Sequence, residues 1–348
     1  MINQNIYNQI ISKKVGLDFK SSDDFNLSRI EMKSTREGFG EALLKLGEEH
    51  DDVVALCADL TESVQMHKFK NKFPDRFFEM GVAEQNMASV ASGMAAMNRV
   101  PFIASYAMFN PGRNWEQIRT TICYNDRKVI IVGAHSGLSV GPDGGTHQAL
   151  EDVAIMRAIP NITILSPCDY VEAYNMTRLA YQIEGPVYIR LTREKTAMLY
   201  DEKHESKIGV GEIFFSSNLE SHYKVGMVAS GPIIFEALLA AKELEFENIS
   251  VQILNLSTVK SKNFDIFQIV NFAKNNNKKI ITLEEHQIIG GLGSLVCEVL
   301  SENYPSQVVR MGVDNRFGQS GSAAELYKEY GIDKESIKNK IRELAHSH

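Results

Sequence analysis

The sequence predicts an α/β protein made of two tandem domains, each with a mostly parallel sheet covered by helices. Short, almost wholly apolar runs, typical of strands buried on both faces, recur along the chain of 348 residues. Segments long enough to be helices separate these runs, which is the pattern of parallel βαβ units. A polar stretch at residues 201–222 divides the runs into two series, so we expect it to link two domains.

The polar and irregular residues 1–33 are predicted to be an N-terminal extension, and residues 34–200 are predicted to be the first domain. Apolar residues at helical spacing or in short blocks predict its elements. The predicted helices cover residues 39–46, 85–97, 149–158 and 170–181, and the predicted strands cover residues 53–58, 129–132, 162–165 and 187–191.

The predicted helix at 85–97 differs from the others because it is weakly polar and rich in Ala, Ser, Gly and Met. Such a composition indicates a helix that is buried on most sides. Small residues also let another backbone approach closely, so we expect this helix to lie at an interface between subunits.

The second domain is predicted at residues 223–348, and its elements follow the same alternation. The predicted strands cover residues 225–229, 251–254, 280–283 and 308–309, and the predicted helices cover residues 235–244 and 292–300.

The composition excludes several classes of protein. Apolar residues make up 44% and charged residues 23%, which is typical of soluble globular domains. The net charge of −7 argues against a nucleic-acid partner. No run approaches the ~20 apolar residues that span a bilayer, and the N-terminus lacks the order of a signal peptide. We therefore expect neither a nucleic-acid nor a membrane partner.

The four cysteines are scattered and form no Cys-x-x-Cys pair, which argues against a zinc site or a disulfide framework. We therefore expect the protein to be located in the reducing cytoplasm. The sequence also lacks a P-loop, a His-Glu-x-x-His pair and a Gly-x-Ser-x-Gly elbow. A glycine-rich stretch at 290–293 has only part of a dinucleotide-binding fingerprint. We therefore favour close packing of a strand against a helix as its role, over the binding of an anion.

Two stretches carry more specific chemistry. Glu84 opens the predicted helix, where a carboxylate complements the helix dipole. Its small and apolar neighbours also favour a buried carboxylate, which is typical of proton-transfer groups. Residues 135–148 (HSGLSVGPDGGTHQ) follow a predicted strand, at the sheet edge where α/β proteins bind ligands. Their two histidines and aspartate are either proton shuttles and hydroxyl ligands or parts of a structured surface turn.

Together these stretches resemble the transketolase family of thiamine-diphosphate enzymes. The resemblance runs from Ser34 onward and rests on four motifs in the family's order: ADLTES at 58–63, GVAEQN at 81–86, DGGTHQ at 143–148 and EEHQIIGG at 284–291. It implies the pyrimidine-binding domain followed by the C-terminal domain, without the diphosphate-binding domain.

The absent domain implies a partner chain. The family binds the diphosphate through a divalent metal, Mg²⁺ or Ca²⁺, with a Gly-Asp-Gly motif and a downstream Asn. Here Asp143 follows Pro142 instead of a glycine and belongs to the Thr-His-Gln loop. We therefore predict that this chain contributes no metal ligands and shares thiamine diphosphate with a separate N-terminal transketolase subunit, in an α2β2 assembly.

The resemblance also implies roles for the cofactor-binding residues. Glu84 matches the catalytic glutamate that hydrogen-bonds N1′ of the aminopyrimidine. Phe109 matches the aromatic residue that stacks on that ring, and Tyr106 matches a neighbouring aromatic residue of the pocket. Packing in the core is the alternative role for Phe109 and Tyr106.

The residues predicted to bind the substrate follow from the same resemblance. His147 and Asp143 match residues that contact the hydroxyl groups of the donor sugar, and His147 is also a predicted catalytic residue. The predicted site for the terminal phosphate comprises Arg193, Arg36, Ser63 and His135. Arginine suits a phosphate because its guanidinium is permanently charged and bidentate.

The sequence departs from the single-chain enzymes after Phe109, where PGRNW at 111–115 replaces a third pocket aromatic. Arg113 is expected either to enter the pocket and alter acceptor preference or to make an interface contact.

The function predicted is one subunit of a transketolase, which transfers a two-carbon ketol unit between phosphosugars. Two alternatives share this architecture: a subunit of an enzyme like deoxyxylulose-phosphate synthase and a beta-type subunit of a 2-oxo-acid dehydrogenase. The former is normally one chain, and the latter needs no sugar-phosphate site. A catalytically silent scaffold subunit is the third alternative.

Overall fold

Two large sheets and a small antiparallel sheet of β1 with β8 organise residues 31–347, which are the residues that a computed structural model describes. The predicted extension at 1–33 therefore lies outside the described residues except for its last three. In chain order the strands are β1 (Met32–Lys33), β2 (Val53–Cys57), β3 (Phe77–Glu79), β4 (Val100–Tyr106), β5 (Ile130–Ala134), β6 (Thr163–Leu165), β7 (Val187–Arg190), β8 (Thr196–Ala197), β9 (Glu212–Ser216), β10 (Lys224–Ala229), β11 (Ser250–Asn255), β12 (Thr258–Lys260), β13 (Lys279–Gln287) and β14 (Gln307–Val313).

The α-helices connect most of these strands. They are α1 (Thr35–Glu49), α2 (His67–Lys72), α3 (Glu84–Ala96), α4 (Trp115–Gln117), α5 (Asp152–Arg157), α6 (Tyr170–Gln182), α7 (Ile234–Leu244), α8 (Ile266–Asn275), α9 (Leu292–Asn303), α10 (Ala323–Glu329) and α11 (Lys334–His346). A π-helical segment, Ile118–Cys123, continues α4, and a 3₁₀ turn covers Leu138–Asp143.

The first sheet has seven strands in the order β12-β6-β7-β5-β4-β2-β3. All neighbouring pairs are parallel except β12 with β6. The second sheet has five strands in the order β14-β13-β10-β11-β9, and only β9 is antiparallel to its neighbour. The predicted class, two largely parallel α/β layers, is confirmed.

The two layers share a buried apolar cluster. Leu138, Leu150 and Val171 from the first layer share a buried cluster with Met227 and Ile281 from the second. Burying this surface against the second layer is favoured by ~25 cal/mol per Å² of apolar area. Packing against the second layer therefore holds in place the loops of the first layer that contact it.

Two strands lie where the sequence pattern did not indicate any. One is β9, whose Phe214 and Phe215 are buried and which lies within the polar stretch at 201–222. After β11, the chain returns as β12 to the edge of the first sheet. The predicted boundaries at 34–200 and 223–348 stay predictions.

Helix α3 is less enclosed than the sequence predicts. Met87, Ala88 and Ala91 are fully buried, but the opposite face is exposed. Next to the helix, the side chains of Val82 and Met97 are 68% and 76% exposed. The expectation that α3 is buried on most sides is thus wrong for the single chain, and a large apolar residue is exposed next to each end of the helix.

Candidate active site

Four adjacent strands of the first sheet end at the candidate site. In spatial order these are β7, β5, β4 and β2. Arg193 follows β7, His135 follows β5, Tyr106 ends β4 and Ser63 lies in the loop after β2. Because parallel strands place their carboxyl ends at one edge, residues that are far apart in the sequence meet there.

Helix α1 brings a further residue to this edge. Ser34 caps the helix in a reciprocal capping box: its hydroxyl accepts from the Glu37 N–H, and the Glu37 carboxylate accepts from the Ser34 N–H at 2.7 Å. This fixed start places Arg36 in the first turn. Its Nη1 donates to the main-chain oxygen of Ser63 at 2.7 Å, and its Nε donates to that of Arg193 at 3.1 Å.

The predicted phosphate-binding residues are therefore brought together. Arg193 donates to the main-chain oxygen of Val140 at 2.7 Å, and its Nη1 lies 3.7 Å from Oδ1 of Asp143. The structure thus places Asp143 beside Arg193 at the edge of this cluster. Arg36 has a lowered pKa because it is partly buried and because Arg193 is nearby. Both effects favour an anion at this position.

His135 lies at the centre of the site. Its imidazole stacks on the Tyr106 ring with centroids 3.8 Å apart, and it is 2% exposed. Burial and the charges of Arg36, Arg193 and His147 lower the pKa of His135 to about 3. Its ring is therefore neutral at physiological pH. Its Nδ1 is buried and has no hydrogen-bond partner among the described residues, so it is available to a bound molecule.

An aromatic wall continues from His135. The rings of Tyr106 and Phe109 are nearly parallel, with centroids 5.8 Å apart. His147 packs edge-on against Phe109, with centroids 5.6 Å apart at 75°. The Nδ1 of His147 is 2.9 Å from the hydroxyl of Thr146, which orients the imidazole. The wall offers flat faces for a ring to stack against.

Glu84 lies at the start of α3 and is 3% exposed. Its Oε1 is 3.0 Å from Nη1 of Arg113, whose guanidinium also lies over the Phe109 ring, 4.1 Å from the centroid. In the single chain Arg113 therefore lies against Glu84 and Phe109, and its two expected roles, in acceptor preference and in an interface contact, stay predictions. A buried carboxylate needs such a partner, because isolated charges are costly to bury.

Two asparagines that the sequence analysis did not assign hold this arrangement. Asn114 donates to the main-chain oxygen of Glu84 at 3.1 Å and to the side-chain oxygen of Asn110 at 2.9 Å. Asn110 donates in turn to main-chain oxygens of Ile103 in β4 and Val132 in β5. Both asparagines are fully buried. Their spacing of four residues, with Phe109 before the first and Trp115 after the second, was the available sequence signal.

The second layer supports the Thr-His-Gln loop. Nε2 of Gln148 donates to the main-chain oxygen of Gln319 at 3.0 Å. Gly144 has φ +76°, and a Cβ there would lie 2.6 Å from the hydroxyl oxygen of Ser320. The loop therefore needs glycine at this position, both for its left-handed backbone and for its closeness to the second layer.

The motif at 284–291 stabilises the interface between the layers. The Glu284 carboxylate accepts from the main-chain N–H groups of Leu292 and Gly293 at 2.7 and 2.8 Å, so it caps α9. The glycine-rich stretch packs closely against β13, because a Cβ at Gly291 would lie 2.7 Å from Nδ1 of His286 and one at Gly293 would lie 2.8 Å from Oγ1 of Thr282. Glu285 accepts from the N–H of Ser139 and from the Tyr327 hydroxyl. Burial raises the pKa of Glu285.

The chemistry of the pocket fits an aminopyrimidine. Such a ring has a flat face and an edge with hydrogen-bonding nitrogen atoms. Phe109 provides a stacking face, and the buried Glu84 carboxylate provides an acceptor beside it. Within residues 31–347, no group of three or more His, Cys, Asp or Glu side chains has the geometry to hold a metal ion. Over the same residues, no helix is both long and apolar enough to cross a membrane.

Comparison with known protein families gives two matches. Residues 31–198 match the family model for the transketolase pyrimidine-binding domain, and residues 219–337 match that for the transketolase C-terminal domain. The predicted family is confirmed by these matches.

Two relatives have nearly the same extent as this chain. A putative transketolase C-terminal section of Methanocaldococcus jannaschii is 40% identical over 314 residues, covering 89% of this chain and 96% of that protein. A 6-deoxy-6-sulfo-D-fructose transketolase subunit of Clostridium sp. (strain MSTE9) is 34% identical, covering 91% and 96% respectively. Human transketolase is 34% identical over 98% of this chain, but this chain spans 56% of its length.

Solved structures agree with these matches. A split-gene transketolase, described as an inactive β4 tetramer, superposes with a TM-score of 0.79 at 37% identity, covering 90% of this chain and 98% of that one. Transketolase from Campylobacter jejuni has the same fold, with a TM-score of 0.74 at 20% identity, and 51% of it is covered. The chain therefore belongs to the transketolase family of thiamine-diphosphate-dependent transferases and comprises its pyrimidine-binding and C-terminal domains.

Proposed function

We propose that this chain is the pyrimidine-binding and C-terminal half of a two-subunit transketolase. A partner chain would bind the diphosphate through Mg²⁺ or Ca²⁺, and the two chains would share thiamine diphosphate at a common active site. The observation that carries this proposal is the placement of Glu84, Phe109 and the Arg36–Arg193 pair along one edge of one sheet.

The cofactor would be held by its aminopyrimidine ring, with Glu84 at N1′, Phe109 at the ring face and Tyr106 beside it. Bound thiamine diphosphate supplies an electron sink that permits cleavage of a ketose beside its carbonyl group. Glu84 would hold and exchange a proton at N1′. The Asn110–Asn114 pair keeps the start of α3 fixed while it does so.

The substrate would be a phosphosugar. Arg193 and Arg36 would bind its terminal phosphate, with Ser63 beside them and a neutral His135 able to share a proton with a phosphate oxygen. His147 would contact a sugar hydroxyl, since its ring lies against Phe109, 5.6 Å between centroids. Asp143 would contact a second hydroxyl group. Two adjacent guanidinium groups favour a dianion over a monoanion.

The assembly would be an α2β2 heterotetramer in which two copies of this chain meet along α3. The exposed side chains of Val82 and Met97 support this arrangement, because large apolar groups beside a helix of small residues are typical of an interface. The 37%-identical split-gene relative also self-associates, as a β4 tetramer. The enzyme would act in the cytoplasm on pentose phosphates.

The direct test is ketol transfer from xylulose 5-phosphate to ribose 5-phosphate by the purified complex with thiamine diphosphate and Mg²⁺. We expect turnover, with phosphorylated donors preferred over unphosphorylated ones. A sulfonated donor belongs in the same panel because one relative is named for such a sugar. Preference for the sulfonate would keep the reaction and replace the substrate. A complex that binds the cofactor without any transfer would contradict the proposal.

A further inference from the structure

Arg113 makes the same two contacts that the proposed function assigns to the cofactor's aminopyrimidine. Its Nη1 lies 3.0 Å from Oε1 of Glu84, and its guanidinium carbon lies 4.1 Å from the centroid of the Phe109 ring. A guanidinium resembles an aminopyrimidine in its chemistry: both are flat, both stack on aromatic rings, and both present N–H groups at one edge.

The main chain around Arg113 is held in place. Its N–H donates to the Phe109 oxygen at 3.0 Å, which closes a tight turn that begins at the stacking residue. On the other side, Nε2 of Gln85 is 3.4 Å from the Arg113 oxygen, and Asn114 is fixed to the start of α3. The turn therefore delivers the side chain to Glu84 from a fixed anchor, and the long side chain can move alone.

The contact between Arg113 and Glu84 is weak enough for a ligand to displace it. The Arg113 side chain is 48% exposed, whereas that of Glu84 is 4% exposed. Ion pairs that are open to water on one side contribute little, typically ~0–1 kcal/mol, and a cation over an aromatic ring adds a comparable amount. In the unliganded chain the Arg113 guanidinium supplies the countercharge of the buried Glu84 carboxylate. Because Arg113 is half exposed, its side chain can move out into solvent.

We propose that Arg113 is an internal plug of the cofactor pocket. In the unliganded chain it neutralises Glu84 and covers Phe109, and it swings out when the aminopyrimidine takes its place. This inference rests on the proposed function, because it needs Glu84 and Phe109 to be the aminopyrimidine site. The plug lowers the apparent affinity for the cofactor by the fraction of molecules in which the pocket is closed.

The test measures binding of thiamine diphosphate, with Mg²⁺, to the cofactor-free complex by titration calorimetry. Arg113→Met removes both the charge and the planar group while keeping an unbranched, flexible side chain. We expect it to bind thiamine diphosphate about tenfold more tightly than the unmodified complex, because no closed state competes. Arg113→Lys, which keeps the charge but cannot stack as a plane, should lie between the two.

Arg119→Met is the matched control, since Arg119 is exposed on the following π-helical segment. It should bind like the unmodified complex. Equal or weaker binding by Arg113→Met would overturn the plug, and weaker binding would make Arg113 a cofactor ligand instead. If Arg113→Met does not assemble, as judged by size-exclusion chromatography, Arg113→Lys decides between these outcomes. An unmodified complex that binds no thiamine diphosphate would overturn both the proposed function and the plug.

Discussion

Nε of Arg36 donates to the main-chain oxygen of Arg193 at 3.1 Å. This contact brings together two arginines that are 157 residues apart in the sequence. Arg36 comes from the first turn of α1, and Arg193 comes from the loop after β7. The charge of Arg193 helps to lower the pKa of Arg36, so an anion bound between the two guanidinium groups would relieve their repulsion. This pair is the structural basis for expecting a phosphorylated substrate.

Replacing Arg193 with methionine should raise the KM for phosphorylated donors without the same effect on unphosphorylated donors. The loss of a charge-assisted contact of ~1.5–3 kcal/mol corresponds to about a ten- to hundredfold change in kcat/KM. Steady-state kinetics of the complex with both donor types gives this ratio. Lys195→Met is the control, because Lys195 is exposed two residues away. An equal loss for both donors would remove Arg193 from the phosphate site.

Replacing Glu84 with glutamine should abolish most of the turnover while the chain stays folded. The amide cannot exchange a proton as the carboxylate does, and acid–base groups typically contribute ~10²–10⁴-fold. Ketol-transfer assays and circular dichroism of the same samples separate activity from folding. Glu184→Gln, at a carboxylate whose side chain is 89% exposed, should retain activity. Full activity in Glu84→Gln would contradict the assigned role of Glu84 in proton exchange.

His135 should make the chain less stable in mild acid. Its folded pKa of about 3 lies below the ordinary value of ~6.5, so the unfolded chain alone takes up a proton between these values. The stabilisation is fully present above pH ~6.5 and is lost as pH falls towards 3. At pH 5 the loss should be about 1–2 kcal/mol.

His135→Asn should remove this dependence, and asparagine also tolerates the positive φ of 52° at this position. Urea denaturation at pH 7.5 and pH 5 measures the change in the free energy of unfolding. The drop between the two pH values should be smaller in this variant than in the unmodified chain. His222→Asn, at an exposed histidine, should show the full drop. Identical drops in all three would contradict the buried neutral imidazole.

Arg190 should contribute strongly to the stability of the interface between the layers. Its Nε donates to Asp152 at 2.9 Å, and its Nη2 donates to the main-chain oxygen of Glu285 in β13 at 2.9 Å. Although burial opposes ionisation of Asp152, Arg190 holds its pKa below the ordinary value. Arg190→Met would leave the buried Asp152 carboxylate without its countercharge. It should lower the free energy of unfolding, measured by urea denaturation, by about 3–5 kcal/mol.

The matched control is Arg316→Met, which breaks an exposed ion pair of 3.2 Å with Glu329. Its cost should stay within ~1 kcal/mol. Equal costs at the two positions would mean that the buried pair is not a special contributor to stability.

Met97→Glu should weaken self-association of the chain by placing a charge on the exposed apolar face beside α3. Sedimentation velocity at several concentrations measures the shift towards smaller species. Phe246→Glu is the control, since Phe246 is 72% exposed but lies on the second layer. Unchanged sedimentation of Met97→Glu would place the contact between copies elsewhere.

The sequence was sufficient for the fold class, because fully apolar strands are recognisable without their partners. It missed β4, which lies at the centre of the first sheet. Pro101 in that strand lacks an N–H and normally argues against a central strand. It also missed β9 and β12, whose places depend on strands far away in the chain. Pairing across such distances leaves little trace in local periodicity.

The sequence motifs predicted which residues belong to the candidate site, but not how those residues are arranged in space. The family resemblance named Arg36, Ser63 and Arg193, and the structure joins them through main-chain oxygens that carry no sequence signal. Arg113 could not be placed from sequence, since its position depends on the turn after Phe109. The role of Gln148 as a link to the second layer depends equally on tertiary contacts.

The most direct test of the central claim is reconstitution of ketol transfer from separate chains. This chain, its diphosphate-binding partner and their mixture would each be assayed with xylulose 5-phosphate, ribose 5-phosphate, thiamine diphosphate and Mg²⁺. A shared active site predicts activity only in the mixture, saturating at equal amounts of the two chains. Turnover by this chain alone would contradict the account, because it would place a complete cofactor site within a single chain.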